Sequence, residues 1–143
     1  MNYSTALIQM PLVHEPSGGP IRSPEESYNA CIDLATLAQE CFTVLSLSAK
    51  NQLLNRHMIT LGIVDCALVH AREVFRPLIT DGASACILCL NHPSGDPTPS
   101  RADVDMTRRI MDACAPVGIT VHDHVVVGKG TVASFHALGL LDP

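Results

Sequence analysis

The passage from Ala85 to Cys114 sets the tightest limits on what this chain can fold into. Ala85-Cys86-Ile87-Leu88-Cys89-Leu90 is an unbroken apolar run of strand length, the pattern of a strand covered on both faces. A stiff Pro/Gly loop follows through Asn91-His92-Pro93-Ser94-Gly95-Asp96 and Pro97-Thr98-Pro99. Ser100-Arg101-Ala102-Asp103 then opens a helix with an N-cap serine, and the inner face of that helix is expected through Asp103, Met106, Ile110, Cys114 and Val117. Pro116 and Gly118 stop it. The strand delivers His92 to the sheet edge and the helix delivers Asp103 in its first turn. An imidazole and a carboxylate placed this way suit one divalent ion, and Leu90 stands where a second imidazole would be most useful.

Nearly half of the 143 residues are apolar, enough for one core and one domain. With no Trp and only 3% aromatic residues, that core has to be packed from Leu, Ile, Val, Ala, Met and Cys. A net charge of −5 gives no general attraction to polyphosphate. Arg72, Arg76, Arg101, Arg108 and Arg109 do not alternate with stacking aromatics, so direct nucleic-acid contact is not expected. Arg108-Arg109 reads as the solvated face of the third helix. No apolar run reaches membrane-spanning length, and Met1-Asn2-Tyr3-Ser4 lacks the basic and hydrophobic segments of a secretion signal, so the expected location is cytoplasmic. Cys31, Cys41, Cys66, Cys86, Cys89 and Cys114 each lie in apolar sequence and are expected as reduced, buried thiols. Cys86 and Cys89 stand three apart in a strand and so point to opposite faces, which argues against a shared metal.

Residues 1–22 are expected as an extended arm, since Pro11 to Pro20 is rich in Pro and Gly without periodicity, and residues 23–143 as a single domain. Ser23-Pro24-Glu25-Glu26 starts a helix expected to run through Tyr28, Cys31, Ile32, Leu34, Ala35 and Ala38 and to end near Glu40. Cys41 to Ser48 and Leu53 to Ile63 read as the two strands of a hairpin turning at Asn51. Val69 to Asp81 has helical spacing despite Pro77, with Gly82 as its stop. Ile119 to Val127 is a further strand and Ser134 to Leu141 a short terminal element. The order α-β-β-α-β-α-β predicts a mixed sheet packed by helices, α/β or α+β in class.

Several of these residues, in this order, resemble RadC-type proteins of the JAMM (MPN/JAB) metallohydrolase superfamily. They are Asn91-His92-Pro93-Ser94-Gly95, Ser100-x-x-Asp103, Asp123-His124, and Ser134-Phe135 with Gly139-Leu140-Leu141, and the likeness covers roughly Glu40 to Leu141. The resemblance implies a curved mixed sheet flanked by helices, related to the deaminase-like fold. It is to the short stand-alone members, without the amino-terminal helix-hairpin-helix region of many RadC proteins. It also implies a His-x-His pair and a Ser-x-x-Asp carboxylate holding zinc, a distant glutamate acting on the metal-bound water, and the serine supporting the oxyanion. Here His92 matches the second imidazole, Asp103 the carboxylate, Ser100 the serine and Glu40 the glutamate, while Leu90 occupies the first imidazole position. A hydrolytic zinc uses about three protein ligands plus an open water position, so two ligands predict weak binding and low occupancy. His122 and His124, two apart on an expected strand and hence on one face, are the candidate substitutes.

Each of these residues also has a plainer reading. Ser100-x-x-Asp103 is a capping-box spacing in its own right, His92 before Pro93 can serve a turn, and Glu40 can be a solvated carboxylate at a helix end. His14, His57, His70 and His136 are read as structural or solvent-facing. Two function classes follow. One is a JAMM-like zinc hydrolase of amide or isopeptide bonds in a protein or peptide, weakened or silenced by Leu90. The other is a non-catalytic protein-binding module with the same fold, associated through the RadC resemblance with DNA repair or mobile elements. Self-association as a homodimer is left open.

Overall fold

The structure is a computed structural model in which residues 20–62 and 69–141 are described. Helix α1 (Pro24–Ala30) starts where the sequence places it, with the Ser23 hydroxyl accepting the Glu26 N–H at 3.1 Å. It ends well before Glu40. The Cys31 N–H bonds to Tyr28 three residues back, Cys31 leaves helical geometry, and the chain continues as a 3₁₀ turn over Ile32–Thr36. Cys31 and Leu34, three apart, are buried while Ile32 is exposed, which fits three residues per turn rather than 3.6.

Strands β1 (Cys41–Leu47) and β2 (Leu53–Leu61) pair as the expected antiparallel hairpin. Asn51 sits in the turn at φ 62°, a left-handed conformation that asparagine tolerates. Residues 1–19 lie outside the described part, but Ile21 is buried and its N–H bonds to the Asn51 carbonyl at 2.9 Å, so the end of the expected arm is tied to the hairpin. Helix α2 (Ala71–Thr80) carries Pro77 inside it and buries Val74 and Leu78. After β3 (Ala85–Asn91), helix α3 (Arg101–Cys114) crosses to β4 (Thr120–Val127), parallel to β3, and β5 (Val132–Ser134) closes the edge. The five-stranded sheet has the order β2-β1-β3-β4-β5, mixed in direction and flanked by helices as expected.

All seven residues of β3 are buried, and their alternation divides two cores. Cys86, Leu88 and Leu90 pack with Phe42, Val44, Val74, Leu78, Met106, Ile110 and Cys114 under α2 and α3. Ala85, Ile87 and Cys89 pack with Leu45, Leu47, Cys31, Leu34, Val125 and Val127 on the α1 side. Cys86 and Cys89 therefore do look in opposite directions. The five described cysteines are free and buried; Cys66 lies outside the described residues. Two expectations are corrected here. Val117 is 51% exposed because the helix tightens into a 3₁₀ turn over Ala115–Val117 and reverses at Gly118 (φ 75°). The terminal element is the short strand β5 followed by a turn that buries Phe135 and exposes Leu138. Among the described residues no helix is long and apolar enough to cross a membrane.

Candidate metal centre

The loop after β3 fixes His92 from both ends. Its N–H donates to the Val127 carbonyl of β4 at 2.9 Å and its own carbonyl accepts from Gly95, which turns at φ 90°. Gly128 makes the close approach possible: a side chain there would collide with the Gly95 carbonyl and the Pro97 ring. Across this contact the Lys129 N–H reaches the Gly95 carbonyl at 3.0 Å.

Helix α3 brings Asp103 to the same place. Ser100 and Asp103 form a reciprocal capping box, the serine hydroxyl accepting the Asp103 N–H at 3.0 Å and Asp103 Oδ2 accepting the Ser100 N–H at 2.8 Å. The same Oδ2 lies 3.1 Å from His92 Nε2, and the side chains are 15% and 4% exposed. The two groups named from the sequence thus meet. His92 Nδ1 is 2.9 Å from the Asp96 carbonyl, which only accepts, so Nδ1 carries a hydrogen. Nε2 then faces a carboxylate oxygen that also only accepts, and the pair requires a second proton or a shared cation between them. Two ligands held by one tetrahedral ion at about 2.0 Å each sit about 3.3 Å apart, close to the observed separation.

Glu40 lines a cleft of about 360 Å³ together with Gln39, Gly62 and Pro93, which places it beside the His92 loop. The residue that puts it there is Asn91. Buried at 1% exposure, its Oδ1 accepts the Cys41 N–H at 2.6 Å and its Nδ2 donates to the Gln39 carbonyl at 2.9 Å, gripping the backbone on both sides of Glu40. Sequence reasoning quoted Asn91 as the first residue of the loop motif but gave it no role. The available signal was an amide side chain closing a fully apolar strand, where burial obliges it to find partners.

The shared face expected for His122 and His124 does not survive. A register shift in the β3–β4 ladder, in which Cys86 pairs with Val121 and Ile87 with Asp123, makes His122 the extra residue of a bulge. His122 turns outward and its Nε2 bonds to Asn51 Oδ1 at 2.9 Å, on the α1 side of the sheet. His124 points to the α3 side, fully buried, stacked on Phe135 at 4.5 Å and edge-on to Phe42. Thr107 donates its hydroxyl hydrogen to the Asp103 carbonyl at 2.7 Å, so it accepts from His124 Nδ1 at 2.6 Å. His124 Nε2 is left without a partner among the described residues. Burial pushes this imidazole down to about 4; the nearby Asp103 carboxylate works the other way and His92 with the burial.

Zinc fits this donor set only in part. His92 and Asp103 have the spacing, but Leu90, at the position where the family resemblance implies the first imidazole, is 0% exposed in the apolar core. Among the described residues no three His, Cys, Asp or Glu side chains come together to hold a metal ion.

A mixed five-stranded sheet flanked by helices, with His92 at a strand end facing Asp103 of the following helix, fits an α/β domain of the JAB type. The family model described as RadC-like JAB domain matches residues 21–140, and the chain belongs to that family. Curated relatives include the UPF0758 protein STH371 of Symbiobacterium thermophilum, 49% identical over 108 residues that cover 76% of this chain and 46% of the relative. A UPF0758 protein of Desulforamulus reducens is 42% identical over 122 residues (85% and 54%), and the UPF0758 protein YsxA of Bacillus subtilis 40% over 122 residues (85% and 53%). The chain spans about half the length of these curated relatives.

Proposed function

We propose that this chain is a protein- or peptide-binding module of the RadC family that keeps the JAB fold and two of its metal ligands, His92 and Asp103, without hydrolytic competence. The observation that carries the lack of hydrolysis is Leu90, and the protein or peptide partner is what the family resemblance implies. Leu90 is not a solvent-facing gap that water or a mobile group could fill, but a fully buried side chain packed in the same cluster as Phe42 and Met106. A zinc that hydrolyses amides depends on about three protein ligands to hold it and to acidify its water. Equilibrium dialysis of the purified chain with zinc, followed by elemental analysis, tests the reading. We expect substoichiometric zinc at micromolar concentration, whereas one tightly held zinc per chain, lost in Asp103→Ala, would overturn it.

The facing acceptors of His92 and Asp103 favour a second reading, a weakly active zinc hydrolase of amide or isopeptide bonds. In it Glu40, held by Asn91, would carry the proton between the attacking water and the leaving amine, and Ser100 would steady the oxyanion. Neither candidate substitute supports that reading: His124 is buried between Phe42 and Phe135 and forms no three-ligand group with His92 and Asp103, and His122 is turned to the other face by the bulge.

A further inference from the structure

The α1 side of the sheet carries a second polar cleft, of about 250 Å³, lined by neither His92 nor Asp103. Ile21 and Ile87 give it apolar lining, Asn51 and the Asp123 carboxylate also border it, and three side chains of basic type line it: Arg22, His122 and His136. They arrive from three separate parts of the chain. Arg22 belongs to the segment docked on the hairpin turn, His122 is the residue swung out by the β4 bulge, and His136 follows β5. Bulges re-aim side chains and occur next to binding sites. His122 is braced through Nε2 by Asn51, and His136 by its backbone N–H, which donates to Asp123 Oδ1 at 2.9 Å.

The Asp123 carboxylate that borders the cleft, and Glu26 beside it, already accept hydrogen bonds. Asp123 Oδ1 also accepts the His124 N–H at 2.8 Å and its Oδ2 accepts the Ser134 hydroxyl at 2.6 Å, while Glu26 accepts the Arg22 backbone N–H. The Arg22 guanidinium and the His136 ring have no hydrogen-bond partner among the described residues. From this juxtaposition of one guanidinium and two imidazoles, beside a carboxylate that is already hydrogen-bonded, we propose that the cleft binds a small phosphate-bearing anion. The Arg22 guanidinium can pair with two phosphate oxygens through its fork, and the unengaged His136 ring is left for the third, while His122, whose Nε2–H is held by Asn51, borders the site. The site is independent of the metal pair and of either reading of it.

The test is a titration of the full chain with sodium phosphate against sodium chloride at equal ionic strength, following the imidazole C–H resonances by NMR. The expected result is a saturable shift at His122 and His136 that is absent at exposed His70, with affinity weakened about tenfold or more in Arg22→Ala and in His136→Ala. Both substitutions are at exposed positions, and the His124 resonance, shifted by its stacking on Phe135, reports that the fold is kept. Equal shifts at all three histidines, no saturation, unchanged affinity in both variants, or equal binding of acetate would each overturn the proposal.

Discussion

His92 and His124 are carried by neighbouring strands, and each is pinned through Nδ1, His92 by the Asp96 carbonyl and His124 by the Thr107 hydroxyl. They differ in what meets Nε2. At the cleft it is the Asp103 carboxylate at 3.1 Å, in reach of solvent; in the core it is nothing, between Phe135 and Phe42. The same orientation of the ring therefore has two outcomes. At the mouth it leaves a lone pair beside a negative charge, which favours a cation; in the interior it leaves a lone pair that burial keeps neutral. On this comparison the His92–Asp103 pair has the spacing for a shared cation, and among the described residues no third His, Cys, Asp or Glu joins it.

The sharpest way to break that conclusion is Leu90→His. Without metal, replacing a fully buried leucine by an unpartnered polar ring is expected to cost about 4 kcal/mol. With zinc at about 100 times its dissociation constant, about 2.7 kcal/mol of this should return through binding to the folded state alone. Thermal melts with and without zinc measure both, the unsubstituted chain responding little. A variant that melts at the same temperature with and without zinc would mean that the end of β3 cannot aim a third ligand at His92 and Asp103.

The interior histidine has its own signature in acid. An unfolded histidine takes its proton near its ordinary value of 6.5, and His124 in the fold only near 4. Between those limits the unfolded chain holds more protons, so stability falls as pH drops from about 6.5 to about 4, by about 3 kcal/mol in all. Asp33, held low by its bonds to Arg56, makes a contribution that is lost only at more acid pH. So does Asp81, where bonds from His57, Ser46 and Asn55 outweigh the effect of burial. Urea midpoints across this range should show the slope, and His124→Phe, which keeps an apolar ring between Phe42 and Phe135, should flatten it. An unchanged slope in that variant would remove His124 as its source.

How much of this could be read from the chain depended on whether the determining signal was local. Ser23 and Ser100 announce their helices, the apolar run announces β3, and Asn51 announces the hairpin, because caps, burial periodicity and turn chemistry act over a few residues. The meeting of His92 with Asp103 was legible for the same reason, being one stiff loop and one helical turn apart. The bulge at His122 was not, since it arises from pairing β4 against β3, and a single slipped register moves a side chain to the other face. Nor was the end of α1, where the apolar spacing through Ala38 continues although the backbone has changed to a tighter turn at Cys31. Asn91 was hidden because both of its partners lie about fifty residues away.

Asn91→Ala sharpens the comparison on the side of Glu40. Losing both bonds and leaving the buried Cys41 N–H unpaired is expected to cost about 2 kcal/mol. Hydrogen exchange should show Cys41 opening ahead of Val44 in the same strand, and a protection pattern that stays uniform along β1 would mean that Asn91 does not brace the Glu40 segment.

The smallest expected effect separates the two meanings of Ser100. As an N-cap it holds the Asp103 N–H, and Ser100→Ala should cost about 1 kcal/mol in urea unfolding, with zinc retention by Leu90→His preserved because Asp103 keeps its Oδ2 bond to the backbone of residue 100. Ser100→Asp, a residue that also caps helices, should recover most of that stability. If instead zinc binding by Leu90→His collapsed on Ser100→Ala, the hydroxyl would be steering the carboxylate toward the metal. The half-site at the mouth would then depend on its cap as much as on its missing imidazole.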